Sequence, residues 1–100
     1  MEIIKNLSGN ELTLKLVGRL DTTTAGELEA AVSSSLDGVT TLTFDFSELE
    51  YISSAGLRVL LSTQKTMQGK GKMIIANPNE MVNEVFDITG FATILTIVNK

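Results

Sequence analysis

Residues 50–58, Glu50-Tyr51-Ile52-Ser53-Ser54-Ala55-Gly56-Leu57-Arg58, decide the architecture of this chain. Just upstream, Leu42, Phe44 and Phe46 point to one side while Thr41, Thr43 and Asp45 point to the other, the two-residue period of a half-buried strand. Just downstream, Leu57, Leu60, Leu61 and Gln64 recur at helical spacing. The pair Ser53-Ser54 therefore stands at or just before a helix N-terminus, where unpaired N–H groups and the positive dipole end favour anionic oxygen. A serine placed there can cap the helix, and it can equally accept a phosphate without harm to the fold.

The remaining elements follow outward from that junction. Residues 3–7 form a short first strand, turned by Ser8-Gly9-Asn10 into a second over 11–17, in which Leu12, Leu14 and Leu16 alternate with Thr13 and Lys15. Residues 18–21 break that strand. Asp21 or Thr22 then caps a helix carrying Ala25, Leu28, Val32 and Leu36 on one face and closed by Asp37-Gly38. The third strand covers 42–46, followed by a polar connection holding Glu48 and Glu50 and by the central helix. In Leu49, Tyr51 and Ile52 the connection carries either strand-end core or a small apolar docking patch. Gly69 and Gly71 turn the chain into a strand over 73–76, with Lys70 and Lys72 serving solubility and the helix C-terminus. Asn79 caps a helix with Val82, Val85 and Phe86, Thr89-Gly90 ends it, and 92–98 supplies a last β-branched strand. The order β-β-α-β-α-β-α-β predicts an α/β fold with a mixed, mostly parallel sheet of about five strands. Alternation within the strands places the helices mainly on one face.

Composition narrows the function. One hundred residues with 43% hydrophobic side chains suffice for one domain, residues 1–100, with a single modest core. No apolar run reaches the roughly 18–20 residues of a membrane span, and residues 1–6 lack the layout of a secretory signal. A cytoplasmic protein without a membrane partner is expected. The net charge of −4 argues against nucleic acid, whose binders cluster Lys and Arg. Cysteine and histidine are both absent, which removes disulfides, thiolate metal sites, the strongest nucleophile and the commonest general base. No glycine-rich phosphate loop or strained serine elbow occurs. Asp21 and Asp45 fall near strand ends that could flank Ser54, but no third ligand stands at metal-binding spacing. The expectation is a non-enzyme that needs no cofactor and no metal.

Three segments in this order and spacing resemble the STAS domain of stand-alone bacterial anti-sigma factor antagonists: Gly18-Arg19-Leu20-Asp21, the stretch from Asp45-Phe46-Ser47 through Ile52-Ser53-Ser54-Ala55-Gly56-Leu57, and Phe86-Asp87-Ile88-Thr89-Gly90-Phe91. The resemblance spans essentially the whole chain. It implies a partner-switching protein that binds an anti-sigma factor, itself a serine kinase, while unphosphorylated. Phosphorylation then separates the complex, and a serine phosphatase resets it. The family's phosphorylated position falls on Ser54, with Ser53 as runner-up because Ser53 stands where the family often has Asp.

Asp21, Ser53, Ser54, Gly56 and Arg58 are the expected partner-binding residues of a monomer. Gly56 serves either close packing of helix on sheet or close approach of a docked partner. Arg58 either reaches a partner carboxylate or is simply solvated. The alternative within the same family is an accessory subunit bound constitutively to the ATPase of a membrane lipid transporter. A nucleotide-processing enzyme built on Asp21, Asp45 and Ser54 is the reading from another class, and the missing phosphate loop and histidine weigh against it.

Overall fold

In the computed structural model, which describes residues 1–99, the third strand is the spine of the molecule. Five strands lie side by side in chain order: β1 (Glu2–Ser8), β2 (Glu11–Leu20), β3 (Thr41–Ile52), β4 (Lys72–Ala76) and β5 (Thr96–Val98). β1 and β2 pair antiparallel as a hairpin, and every later pair is parallel. The parallel pairs need crossovers, which α1 (Ala25–Ser33), α2 (Ser54–Gln68) and α3 (Glu80–Thr89) supply. This is the mixed α/β sheet expected from the sequence.

One face of the sheet is apolar and covered. Leu12, Leu14, Leu16, Leu42, Phe44, Phe46, Met73 and Ile75 are buried there in one cluster with Leu28 and Val32 of α1, Leu57 and Leu60 of α2, and Val82 and Phe86 of α3. Their neighbours Thr13, Lys15, Thr43, Asp45 and Ile74 point to the opposite face and stay half-exposed. The Phe86 ring stacks at 6.4 Å from Phe46, which in turn lies 6.1 Å from Phe44, so three of the few aromatic rings lock α3 onto β3.

β3 departs from expectation. Instead of ending at Phe46 it runs to Ile52, and β2 continues past Gly18 to Leu20. The register explains how: Lys15 pairs with Asp45, Val17 with Glu48, Gly18 with Leu49, Arg19 with Tyr51 and Leu20 with Ile52. β3 therefore carries two bulges, each adding one residue opposite β2. Its buried positions follow as Leu42, Phe44, Phe46, Leu49 and Ile52, a spacing that lengthens from two to three at the bulges. Leu49 and Ile52 are core and not a docking patch, Tyr51 is half-exposed, and Glu48 and Glu50 face solvent from within the strand. The Asp45 carboxylate accepts from Ser47 N at 3.0 Å and braces the first bulge.

Three further boundaries differ. α1 ends at Ser33, so Leu36 reaches the core from the following loop. Neither Asp21 nor Thr22 holds the N-cap of α1; Thr24 does, without a side-chain cap bond. The segment before β5 coils into a 3-10 turn over Phe91–Thr93, with Ile94 N and Leu95 N both donating to Phe91 O, and leaves only three residues to pair with β4. At the far end of α2, Lys70 Nζ donates to Leu36 O. Gly71 lies so close to Thr40 that an added Cβ would sit 1.9 Å from the Thr40 carbonyl oxygen. Only glycine lets the backbones close there, and Lys72 N donates to that same oxygen at 2.9 Å.

Candidate phosphoacceptor site at the start of the central helix

The ends of β2 and β3 converge on the junction that the sequence singled out. Leu20 and Ile52 are paired, and Ser53 N donates to Leu20 O at 2.9 Å, the last bond before the chain turns into α2. Ser53 keeps an extended backbone (φ −101°, ψ 175°) and is the N-cap of α2: its Oγ accepts from Gly56 N at 3.4 Å, and its carbonyl accepts from Leu57 N at 3.0 Å. Ser54 is the first helical residue. Its side chain is exposed and enters no hydrogen bond among the described residues. The two adjacent hydroxyls thus differ in kind: one is half-buried and engaged in the cap, the other is free at the positive end of a 15-residue helix.

Gly56 holds that end against the sheet. An added Cβ would meet Leu20 Cγ at 2.7 Å, Leu20 Cδ2 at 2.9 Å and Ile52 Cγ1 at 3.0 Å. The residue is buried, and its missing side chain serves the packing of helix on sheet. Missing bulk at Gly56 lets the first turn of α2 sit directly on the paired ends of β2 and β3. Arg58, one turn after Ser54, is exposed and enters no ion pair among the described residues.

Asp21 stands beside the junction, yet it faces its own loop. Its Oδ1 accepts from Thr23 Oγ1 at 2.7 Å, Thr23 N at 3.0 Å and Thr24 N at 3.2 Å. The Thr23 hydroxyl bond is the largest cause holding this carboxyl below the usual aspartate range. Thr24 closes the loop, its Oγ1 donating to Arg19 O at 2.9 Å and accepting from Asp21 N at 2.8 Å. Asp21 and Asp45 are not brought together, because Asp45 pairs with Lys15 at mid-strand while Asp21 lies beyond the end of β2. Among the described residues no group of three or more His, Cys, Asp or Glu side chains is placed to hold a metal ion.

Sequence reasoning missed two supports of the site. The Arg19 guanidinium lies 4.4 Å above the Tyr51 ring, with Arg19 Nε 3.9 Å from Asp21 Oδ2, so one side chain links the β3 bulge to the loop after β2. Asn79 was expected only as a cap. Its Oδ1 does accept from Val82 N at 2.8 Å, but its Nδ2 also donates to Leu49 O at 3.0 Å and Glu50 O at 3.5 Å. It thereby satisfies carbonyls beside the second bulge. The only signal for either support is the bulged register, which no local pattern reports.

Among the described residues no helix is long and apolar enough to cross a membrane. A family model described as the STAS domain matches residues 2–100. BtrV of Bordetella bronchiseptica, a protein assigned as an anti-sigma factor antagonist, is 37% identical over 87 residues, covering 85% of this chain and 75% of that one. Among solved structures, an anti-sigma factor antagonist from Mycobacterium paratuberculosis superposes with a TM-score of 0.87 at 20% identity, over 96% of this chain and 83% of that one. The Bacillus cell fate determinant SpoIIAA in its phosphorylated form gives 0.79 at 20% identity, over 99% and 91%. These two likenesses are of fold.

Proposed function

The chain belongs to the STAS domain family, and from that membership and the geometry of the α2 start we propose that it is an anti-sigma factor antagonist working by partner switching. Residues 1–100 act as one domain, monomeric and cytoplasmic. While Ser54 is unmodified, the domain binds an anti-sigma factor that is also a serine kinase. The kinase moves the γ-phosphoryl of ATP to Ser54: a bond forms from Oγ to phosphorus, the bond to the β-phosphate oxygen breaks, the hydroxyl proton passes to a kinase base, and ADP remains. The complex then separates, and a serine phosphatase hydrolyses the ester with water to restore Ser54.

The observation that carries this reading is the free, exposed hydroxyl of Ser54 beside the engaged hydroxyl of Ser53. Phosphate at the first position of α2 suits its own fold, where an anion gains roughly 0.3–1 kcal/mol from the helix end. Across an interface the sign reverses. Two like unit charges about 4 Å apart repel by about 4 kcal/mol at an effective dielectric near 20. Since each 1.4 kcal/mol is tenfold, that amounts to about a thousandfold in affinity. The modification acts on binding and leaves the domain folded. The name of BtrV and the existence of a phosphorylated SpoIIAA both support the assignment.

The test uses Ser54→Ala and Ser54→Asp proteins as bait in an extract of the source organism. A soluble ATP-binding anti-sigma kinase should be recovered by Ser54→Ala and lost with Ser54→Asp. Equal recovery by both would sink the switch, and recovery of a transporter ATPase indifferent to the substitution would replace it with the constitutive accessory role.

A further inference from the structure

Beyond Ser54, α1 and α2 flank an open groove of about 600 Å³. Gly26 and Glu29 line it from α1, and Arg58, Val59, Ser62 and Lys65 from α2. A second hollow of about 250 Å³ shares Glu29, Val59 and Ser62 and carries the groove on toward Leu36. Resting on the function proposed above, we infer that this groove receives an acidic helical segment of the anti-sigma kinase, anchored by Arg58 and Lys65.

Charge identifies the occupant. The chain carries a net charge of −4, yet the two basic residues of α2 both stand on this groove, and neither enters an ion pair among the described residues. They are seven residues apart, about 10.5 Å along the helix at 1.5 Å per residue. Carboxylates at positions i and i+7 of a partner helix match that separation. Glu29 on the opposite wall repels the same carboxylates, so the segment lies with its acidic side against α2 and in one orientation.

Space agrees with charge. Gly26 is the second residue of α1 with no left-handed φ, and a Cβ added there would meet nothing within 4 Å. Glycine weakens a helix relative to alanine, and nothing in this fold requires it at that position. What its missing side chain provides is depth in the groove. The site is also continuous with the phosphoacceptor, because Ala55 lines its upper end and Ser54 lies one turn before Arg58 on the same helical face. A phosphate on Ser54 therefore reaches for the Arg58 guanidinium and opposes the carboxylate bound there. Modification withdraws an anchor as well as adding a repulsion.

The probe is the purified kinase that phosphorylates wild-type Ser54 with ATP, loaded with ADP for binding measurements. Gly26→Tyr fills the groove and Lys65→Glu reverses an anchor; each should weaken binding by about tenfold or more, whereas Gly26→Ala and Lys65→Arg should stay within about twofold of wild type. Both Gly26 variants should unfold at or above the wild-type temperature, which separates a blocked groove from a damaged fold. Gly26→Tyr and Lys65→Glu binding within about twofold of wild type would overturn the groove assignment while leaving the switch at Ser54 standing. Absence of any kinase that phosphorylates Ser54 with ATP would bring down the function proposed above, and the groove with it.

Discussion

α2 and α3 both begin after a parallel strand, and both have a side-chain N-cap, yet they are held in different ways. At α3, Asn79 makes a 2.8 Å cap bond and at the same time grips two carbonyls of β3. At α2, Ser53 makes a single cap bond of 3.4 Å, and position is enforced by the absence of a side chain at Gly56 over Leu20 and Ile52. Hydrogen bonds fix the start of α3, away from Ser54. Packing fixes the helix that carries Ser54, the proposed phosphoacceptor.

This contrast can be broken at either end. Gly56→Val should have the largest effect, since branched bulk forced against Leu20 and Ile52 costs about 3 kcal/mol of unfolding free energy in urea titration. Asn79→Ala follows, at about 2 kcal/mol, because it removes a short cap and strips the Leu49 carbonyl of its donor. Ser53→Ala should cost only about 0.5–1 kcal/mol, the low end for a cap, in keeping with its long bond. A Ser53 effect equal to that of Asn79 would erase the distinction drawn between the two helix starts.

The smallest effect is a pH dependence in the loop beside α2. Hydrogen bonds from Thr23 and Thr24 depress the Asp21 pKa in the folded state. Its contribution to stability is therefore fully present above the unfolded value of about 3.9 and is lost as pH falls through the lower folded value. Asp21→Asn should leave an unfolding curve at pH 7 offset from wild type and bring the two together in acid. Curves that stay parallel as the pH falls through the Asp21 titration would deny the carboxylate this role.

Much of this organisation is legible in the sequence because it is local. The alternation of Leu12, Leu14 and Leu16 declares β2, the spacing of Leu57 and Leu60 declares α2, and Asn79 announces the start of α3. The junction at Ser53-Ser54 is legible for the same reason, as two patterns abut there. What stays hidden depends on residues far apart in the chain. The second half of β3 loses its two-residue period to bulges that exist only in pairing with β2. Arg19 over Tyr51 needs that shifted register, and Lys65 gains its meaning only when α1 comes alongside α2. Leu36 betrays the same limit: its helical spacing suggests a longer α1, while the core reaches it from a loop.

The bulges of β3 have a consequence for how this chain tolerates changes in length. Leu16 faces both Phe46 and Ser47, and Glu50 has no counterpart on β2 between the Gly18–Leu49 and Arg19–Tyr51 pairs. Excising Ser47 or Glu50 would return the strand to plain alternation without moving any buried residue to the wrong side. What would change is the bend that each bulge puts into the strand, and with it the direction in which Ser54 leaves the sheet. These two positions therefore act as a steering adjustment: insertions and deletions there re-aim Ser54 while the core is inherited intact.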